Sequence, residues 1–100
     1  MSKPQAAIPN NASLSVLRSI MNEQKLLERI TVNSQIFGGK PIIRGRRLAV
    51  EHILGMLAAG DTIETLLEAY PWLEREDVQA CLIYARRLVG HERVEPLLIE

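Results

Sequence analysis

Leu14, Leu17, Ile20 and Met21 recur at three- and four-residue intervals behind Asn11 and Ser13, and this spacing predicts a short amphipathic helix over about 13–25. Ahead of it, residues 1–12 hold Pro4, Pro9, Asn10 and Asn11 with few large apolar groups, the composition of a loose leader. Between Leu27 and Asn33 the period changes to two: Ile30 and Val32 point one way, Arg29 and Thr31 the other, as in a half-buried strand. Gly38 and Gly39 permit positive φ, Pro41 forbids helix at Lys40, and Ile42 and Ile43 are β-branched, so residues 41–44 should be extended until Gly45 breaks the run. Arg46 to Ala49 either resumes an extended course or turns directly into a helix. Such a small sheet needs helices or a second chain to cover it.

From Val50 the pattern is helical. Ile53, Leu54, Leu57 and Ala58 share a face, and Gly60 ends a helix of about 50–59. Asp61 is placed to cap the next helix, with Glu64 three positions on returning the bond and Ile63, Leu66 and Leu67 facing the core; Pro71 ends it near Tyr70. Glu74 occupies a third cap position ahead of Asp77, and Val78, Cys81, Leu82, Ala85, Leu88 and Val89 form a stripe over a helix of about 75–89, closed by Gly90. The expected organisation is a leader at 1–12, one domain at 13–90 and a tail at 91–100. The fold class is mainly α: a three-helix, helix-turn-helix-like bundle preceded by a short β hairpin and the N-terminal amphipathic helix. In the tail, Val94, Leu97, Leu98 and Ile99 are too apolar to touch nothing and are candidate partner-binding residues.

Composition narrows the function. One hundred residues make about one domain, with 47% apolar and 24% charged groups, close to the globular average. Net charge is zero, which argues against a simple polybasic binder, but the charge is segregated. Residues 25–50 carry six basic groups against one acid (+5), and residues 51–100 carry four against ten (−6). No apolar run reaches the roughly 20 residues of a membrane span, and the N-terminus lacks a signal-peptide core. The single cysteine, Cys81, fits a reducing, cytoplasmic setting and packs as a small hydrophobe.

Candidate chemistry is sparse. His52 lies off the apolar face of its helix and His91 follows a helix end; neither has a nucleophile or acid to work with, so no catalysis and no cofactor are expected. Gly38-Gly39-Lys40-Pro41 departs from a phosphate-binding loop at two positions, with Ser34 where the first glycine belongs and Pro41 where Ser or Thr follows the lysine. Glu74, Glu76 and Asp77 read as charges that complement a helix N-terminus, and no metal site follows. The strongest physical signal is Lys40, Arg44, Arg46 and Arg47, four cations within eight residues. They are candidate nucleic-acid contacts, and a dimer would double them to about eight, giving a salt slope of roughly −7 in log K. Against this, the last helix would present Glu74, Glu76 and Asp77 to the groove if it were a recognition helix, with Arg86 and Arg87 only at its far end.

The run from Glu28 to Leu88, including ERITVN, IFGGKPIIRGRRLAV, ILGMLAAG and AYPWLEREDVQACLIYA, resembles the bacterial domain-of-unknown-function family 433. The resemblance implies a homeodomain-like helix-turn-helix preceded by short strands. For many members it also implies the antitoxin half of a toxin–antitoxin pair with a PIN-like ribonuclease as partner. Ser34, Phe37, Arg46 and Ala49 stand where the family pattern has Pro, Cys, Thr and Pro, which makes the loop after Gly45 more basic. The leading expectation is therefore a dimeric, cytoplasmic antitoxin-like protein that occludes a ribonuclease and regulates itself by binding operator DNA. The alternative is a dimeric interaction module whose arginines pair with its own acidic helices.

Overall fold

The computed structural model describes residues 10–91, and the side chains of residues 14–90. Helix α1 spans Asn10–Leu27, strand β1 Ile30–Val32, strand β2 Pro41–Ile43, and helices α2, α3 and α4 span Val50–Ala58, Ile63–Ala69 and Arg75–His91. The chain is thus mainly helical with one antiparallel hairpin, as the periodicity predicts. Helix α1 outruns its expected limits at both ends, and β1 is correspondingly short because Leu27 still belongs to the helix. Among the described residues no helix is long and apolar enough to cross a membrane.

The hairpin pairs Ile30 with Ile43, Thr31 with Ile42 and Val32 with Pro41. Between the strands, Phe37, Gly38 and Gly39 all take positive φ in a 3-10 turn, where Gly39 N donates to Ile36 O and Lys40 N to Phe37 O. Those two amides are consumed inside the turn, so they are not offered to a phosphate. After β2 the chain reverses at once. Arg44 and Gly45 are both left-handed (φ 45° and 72°), and Arg46 N donates to Ile43 O at 2.8 Å, the pattern of a type I′ turn. Arg44 N donates to Arg29 O and Gly45 N to Thr31 Oγ1, while Ile42 forms a single bridge with Ala49. These contacts pin the turn and the segment that follows it.

The core lies where β2 meets the three later helices: Ile43, Leu48, Val50, Ile53, Leu66, Leu73, Val78 and Cys81 are buried together, with Ile30, Leu54, Leu57 and Tyr84 at its margin. Helix α2 closes through a Schellman motif at Gly60 (φ 106°), with Gly60 N donating to Leu57 O and Asp61 N to Met56 O. Asp61 is thereby taken into the end of α2. The cap of α3 falls to Thr62, whose Oγ1 accepts from Thr65 N at 3.1 Å, so the expected Asp61/Glu64 box does not form. Glu64 instead accepts from Arg75 Nη2 at 2.9 Å, which ties α3 to α4 and holds the Glu64 carboxyl below its usual range. At the start of α2, His52 Nδ1 accepts from Ala49 N at 3.0 Å, a structural use for that imidazole.

Helix α4 departs from expectation along its length. Val78 and Cys81 are buried, but Leu82, Leu88 and Val89 stand exposed. Helix α4 has 17 residues and α2 and α3 have 9 and 7, so Leu88 and Val89 lie past the cover of those two helices, whereas Leu82, between buried Cys81 and half-buried Ile83, is exposed because it faces away from the core.

Candidate functional site

The four predicted cations divide by their neighbours. Asp77, at the third position of α4, is 0% exposed. Its Oδ1 accepts from Arg44 Nε at 2.9 Å and Arg29 Nη1 at 3.0 Å; its Oδ2 accepts from Arg44 Nη2 at 2.7 Å and from Glu74 N at 2.8 Å. Burial alone would raise the Asp77 pKa. The hydrogen bonds from Arg44, the Glu74 amide and Arg29 overcome it and hold the carboxyl below its ordinary value. Arg44 also donates to Trp72 O at 3.0 Å, and its bonds to Asp77 raise its own pKa further. Arg29 is raised in the same way by Glu74 and Asp77. Arg44 thus acts as a structural anchor, with Nε and Nη2 engaged by Asp77 and Trp72 O, while its side chain stays 31% exposed. Asp77, which sequence patterning assigns only to the helix dipole, is the acceptor that joins hairpin to bundle. The signal for it was the cap spacing of Glu74 and Asp77, whose return arm does form.

Lys40 pairs with Glu51 across exposed surface at 3.1 Å, a contact that water and a phosphate can displace. Arg46 lays its guanidinium over the Trp72 ring, 4.5 Å from the centroid, and remains exposed. Arg47 is exposed and has no hydrogen-bonded or ionic partner among the described residues. Backbone bonds fix both, because Leu48 N donates to Arg46 O at 2.8 Å and Ile43 N to Leu48 O at 3.0 Å. The outward cations are thus Arg46 and Arg47 at one turn, with Lys40 on the other side of the hairpin's second strand.

Arg86 and Arg87 are engaged elsewhere. Arg86 Nη2 donates to both carboxylate oxygens of Glu23 at 2.8 Å, and Arg87 Nη2 to Glu23 Oε1 at 2.9 Å, which fastens α1 to the second half of α4. The bond from Arg87, opposed by partial burial and aided by the Arg86 charge, lowers the Glu23 pKa. Beside this clamp Leu27, Tyr84, Leu88 and Gly90 line an apolar groove of about 700 Å³. Leu88 also edges a second groove, of about 390 Å³, against Val50, Leu54, Pro41 and Val89. Val89 is 72% exposed. The tail residues Val94, Leu97, Leu98 and Ile99 follow directly on this surface in the chain, and they lie outside the described residues. Cys81 is buried, and burial with the nearby Asp77 charge pushes its thiol up to about 12, so it remains a protonated core residue.

Comparison with known proteins bears on the family and the fold. A stretch of 69 residues is 39% identical to the uncharacterised protein y4eO of Sinorhizobium fredii, covering 67% of this chain and 31% of that protein. The chain therefore spans about a third of that relative's length. The fold superposes on the crystal structure of a DUF433 member from Anabaena variabilis with a TM-score of 0.60 and 26% identity, over 91% of this chain and 93% of the other. The family model described as a protein of unknown function, DUF433, matches residues 30–85, which takes in the hairpin, the Arg44–Asp77 anchor and most of the bundle. On that match, across more than half of its length, the chain belongs to the DUF433 family.

Proposed function

We propose that this protein is an antitoxin-type binding module that captures a partner protein on the second half of α4. The observation that carries the reading is the exposure of Leu88 and Val89, which continue the core pattern past the end of α2 and α3, with Leu88 opening into the groove beside Leu27 and Tyr84. Surface of that kind is retained where another protein buries it. The family resemblance supplies the expected partner, a PIN-like ribonuclease, and the expected mechanism is occlusion of its active site in a cytoplasmic complex. Val94, Leu97, Leu98 and Ile99 would extend the same surface. The test is co-expression with the product of the adjacent gene, followed by purification on a tag carried by this chain. Wild type should retain a nuclease, and L88D/V89D, both at exposed positions, should lose it with an unchanged helical spectrum. Full retention by the double variant would refute the assignment of the surface.

Operator DNA is a second reading, favoured by the fixed outward placement of Arg46 and Arg47. With Arg44 turned inward, Arg46, Arg47 and the displaceable Lys40 of two copies would offer about four to six phosphate contacts, and the salt slope should be roughly −4 to −5 where eight contacts would give −7. Titration of the upstream operon region at two salt concentrations, with Arg46→Ala and Arg47→Ala, measures it. Binding indifferent to both substitutions would remove the turn from the interface.

A further inference from the structure

We propose that the outer face of α1 is a self-association surface, on which α1 of a second copy lies in parallel register. This surface is separate from the α4 stripe, so the proposal stands apart from the capture of a partner. Leu14, Leu17, Ile20 and Met21 are between 45 and 67% exposed, whereas the links from α1 to α4 arise at Glu23 and Leu27, towards the C-terminal end of the helix. The stretch from Asn10 to Asn22 is rich in Asn, Ser and β-branched residues, which hold a helix poorly unless something packs on it.

The spacing says what kind of element fits. Leu14, Leu17, Met21 and Gln24 follow alternating steps of three and four, the seam of a coiled coil, and this seam is turned by about 120° from Glu23 and Leu27 on the α4 side. The bundle therefore does not obstruct it. Charge selects the occupant. Arg18 is the only charge from Asn10 to Asn22, so two copies approach without accumulating like charge. Arg18 and Lys25 flank one edge of the seam, and Ile20 and Leu27 flank the other. Parallel pairing sets the Lys25 stem on Ile20 of the second copy, while antiparallel pairing would bring the two basic edges together. Gln24, polar within the seam, fixes the register by bonding to Gln24 of the second copy.

Area sets the strength. Four side chains about half exposed offer roughly 300 Å² of apolar surface, or about 450 Å² per copy once the polar rim is included, less than the roughly 800 Å² of a standard interface. The dimer is accordingly reversible, dissociating in the micromolar range or above. Sedimentation equilibrium of the full chain from roughly 1 µM to 1 mM should show the average mass rise from monomer towards dimer. L17D and M21D should each hold it at monomer, with the helical spectrum that wild type shows when diluted to monomer. Under mild oxidation L17C should cross-link to itself and S15C, on the opposite face, should not; buried Cys81 leaves this readout clean. Monomer throughout, a dimer that survives both aspartates, or equal cross-linking of S15C would overturn the proposal.

Discussion

Replacing Asp77 by Asn tests whether one carboxylate holds hairpin and bundle together. Asn has the same shape, so the substitution preserves packing and changes only the bonding. An amide presents a single acceptor oxygen, so its NH₂ group would face either Arg44 Nε and Arg29 Nη1, which now bond Oδ1 at 2.9 and 3.0 Å, or Arg44 Nη2 and Glu74 N, which now bond Oδ2 at 2.7 and 2.8 Å. The return arm of the α4 cap, from Glu74 N at 2.8 Å, is weakened with it, a loss of about 1 kcal/mol. Breaking a buried ion pair from one side costs about 3–5 kcal/mol. Arg44 and Arg29 are partly exposed and regain water, which places the total at about 3 kcal/mol. That is a large part of the 5–15 kcal/mol that folds a domain of this size, and it corresponds to a fall of roughly 12–24 °C in Tm. Urea unfolding followed by far-UV circular dichroism and by Trp72, the only tryptophan, measures the loss directly. The acid dependence is a second readout. Because the folded carboxyl lies below its ordinary value, its contribution is complete above the unfolded pKa of about 4 and disappears as pH falls through the folded one. The gap between wild type and D77N should therefore close on acidification. A D77N protein within about 1 kcal/mol of wild type at neutral pH, or a gap that widens in acid, would refute the reasoning.

Three further outcomes follow from other parts of the fold. With its thiol pushed up to about 12, Cys81 should resist Ellman's reagent at pH 8 and react at the rate of unfolding; complete labelling on mixing would contradict its burial. The same shift makes stability fall as pH rises above the unfolded thiol value of about 8.5, because only the unfolded chain ionises there; flat alkaline stability of wild type relative to C81A would count against it. Gly45 and Gly55 should respond oppositely to alanine, since neither has an atom within 4 Å of an added Cβ but Gly45 sits at φ 72°. G45A should lose about 1 kcal/mol and G55A, within α2, should gain about 0.5–1 kcal/mol, both read as shifts in the urea midpoint at constant slope.

The helices and the hairpin were legible because their signals are local. The three-and-four recurrence of Leu14 to Met21 and of Val78 to Val89, the alternation at Ile30 to Val32 and the punctuation at Gly45, Gly60 and Pro71 each act within a few residues. What escaped was decided elsewhere in the chain. The cap of α3 moved to Thr62 because the end of α2 had already used Asp61. The role of Arg44 depended on Asp77, 33 positions away, and a run of cations says nothing about which member will turn inward. The exposure of Leu88 and Val89 depended on the lengths of α2 and α3, since periodicity reveals which face is apolar and is silent on how far the cover extends.

Arg44 is a side-chain-bearing residue in left-handed geometry, and such a conformation persists only while something restrains it. Its restraints are the turn's own hydrogen bonds, Arg46 N to Ile43 O and Arg44 N to Arg29 O, and a carboxylate on the first turn of a distant helix, so the local shape of the loop is settled in part by long-range assembly. Unseating that helix turn would remove one of the restraints on the turn that carries the neighbouring outward arginines. Two functions that look separable, holding the scaffold and displaying charge, are thereby tied to one event, and selection acting on either will act on both.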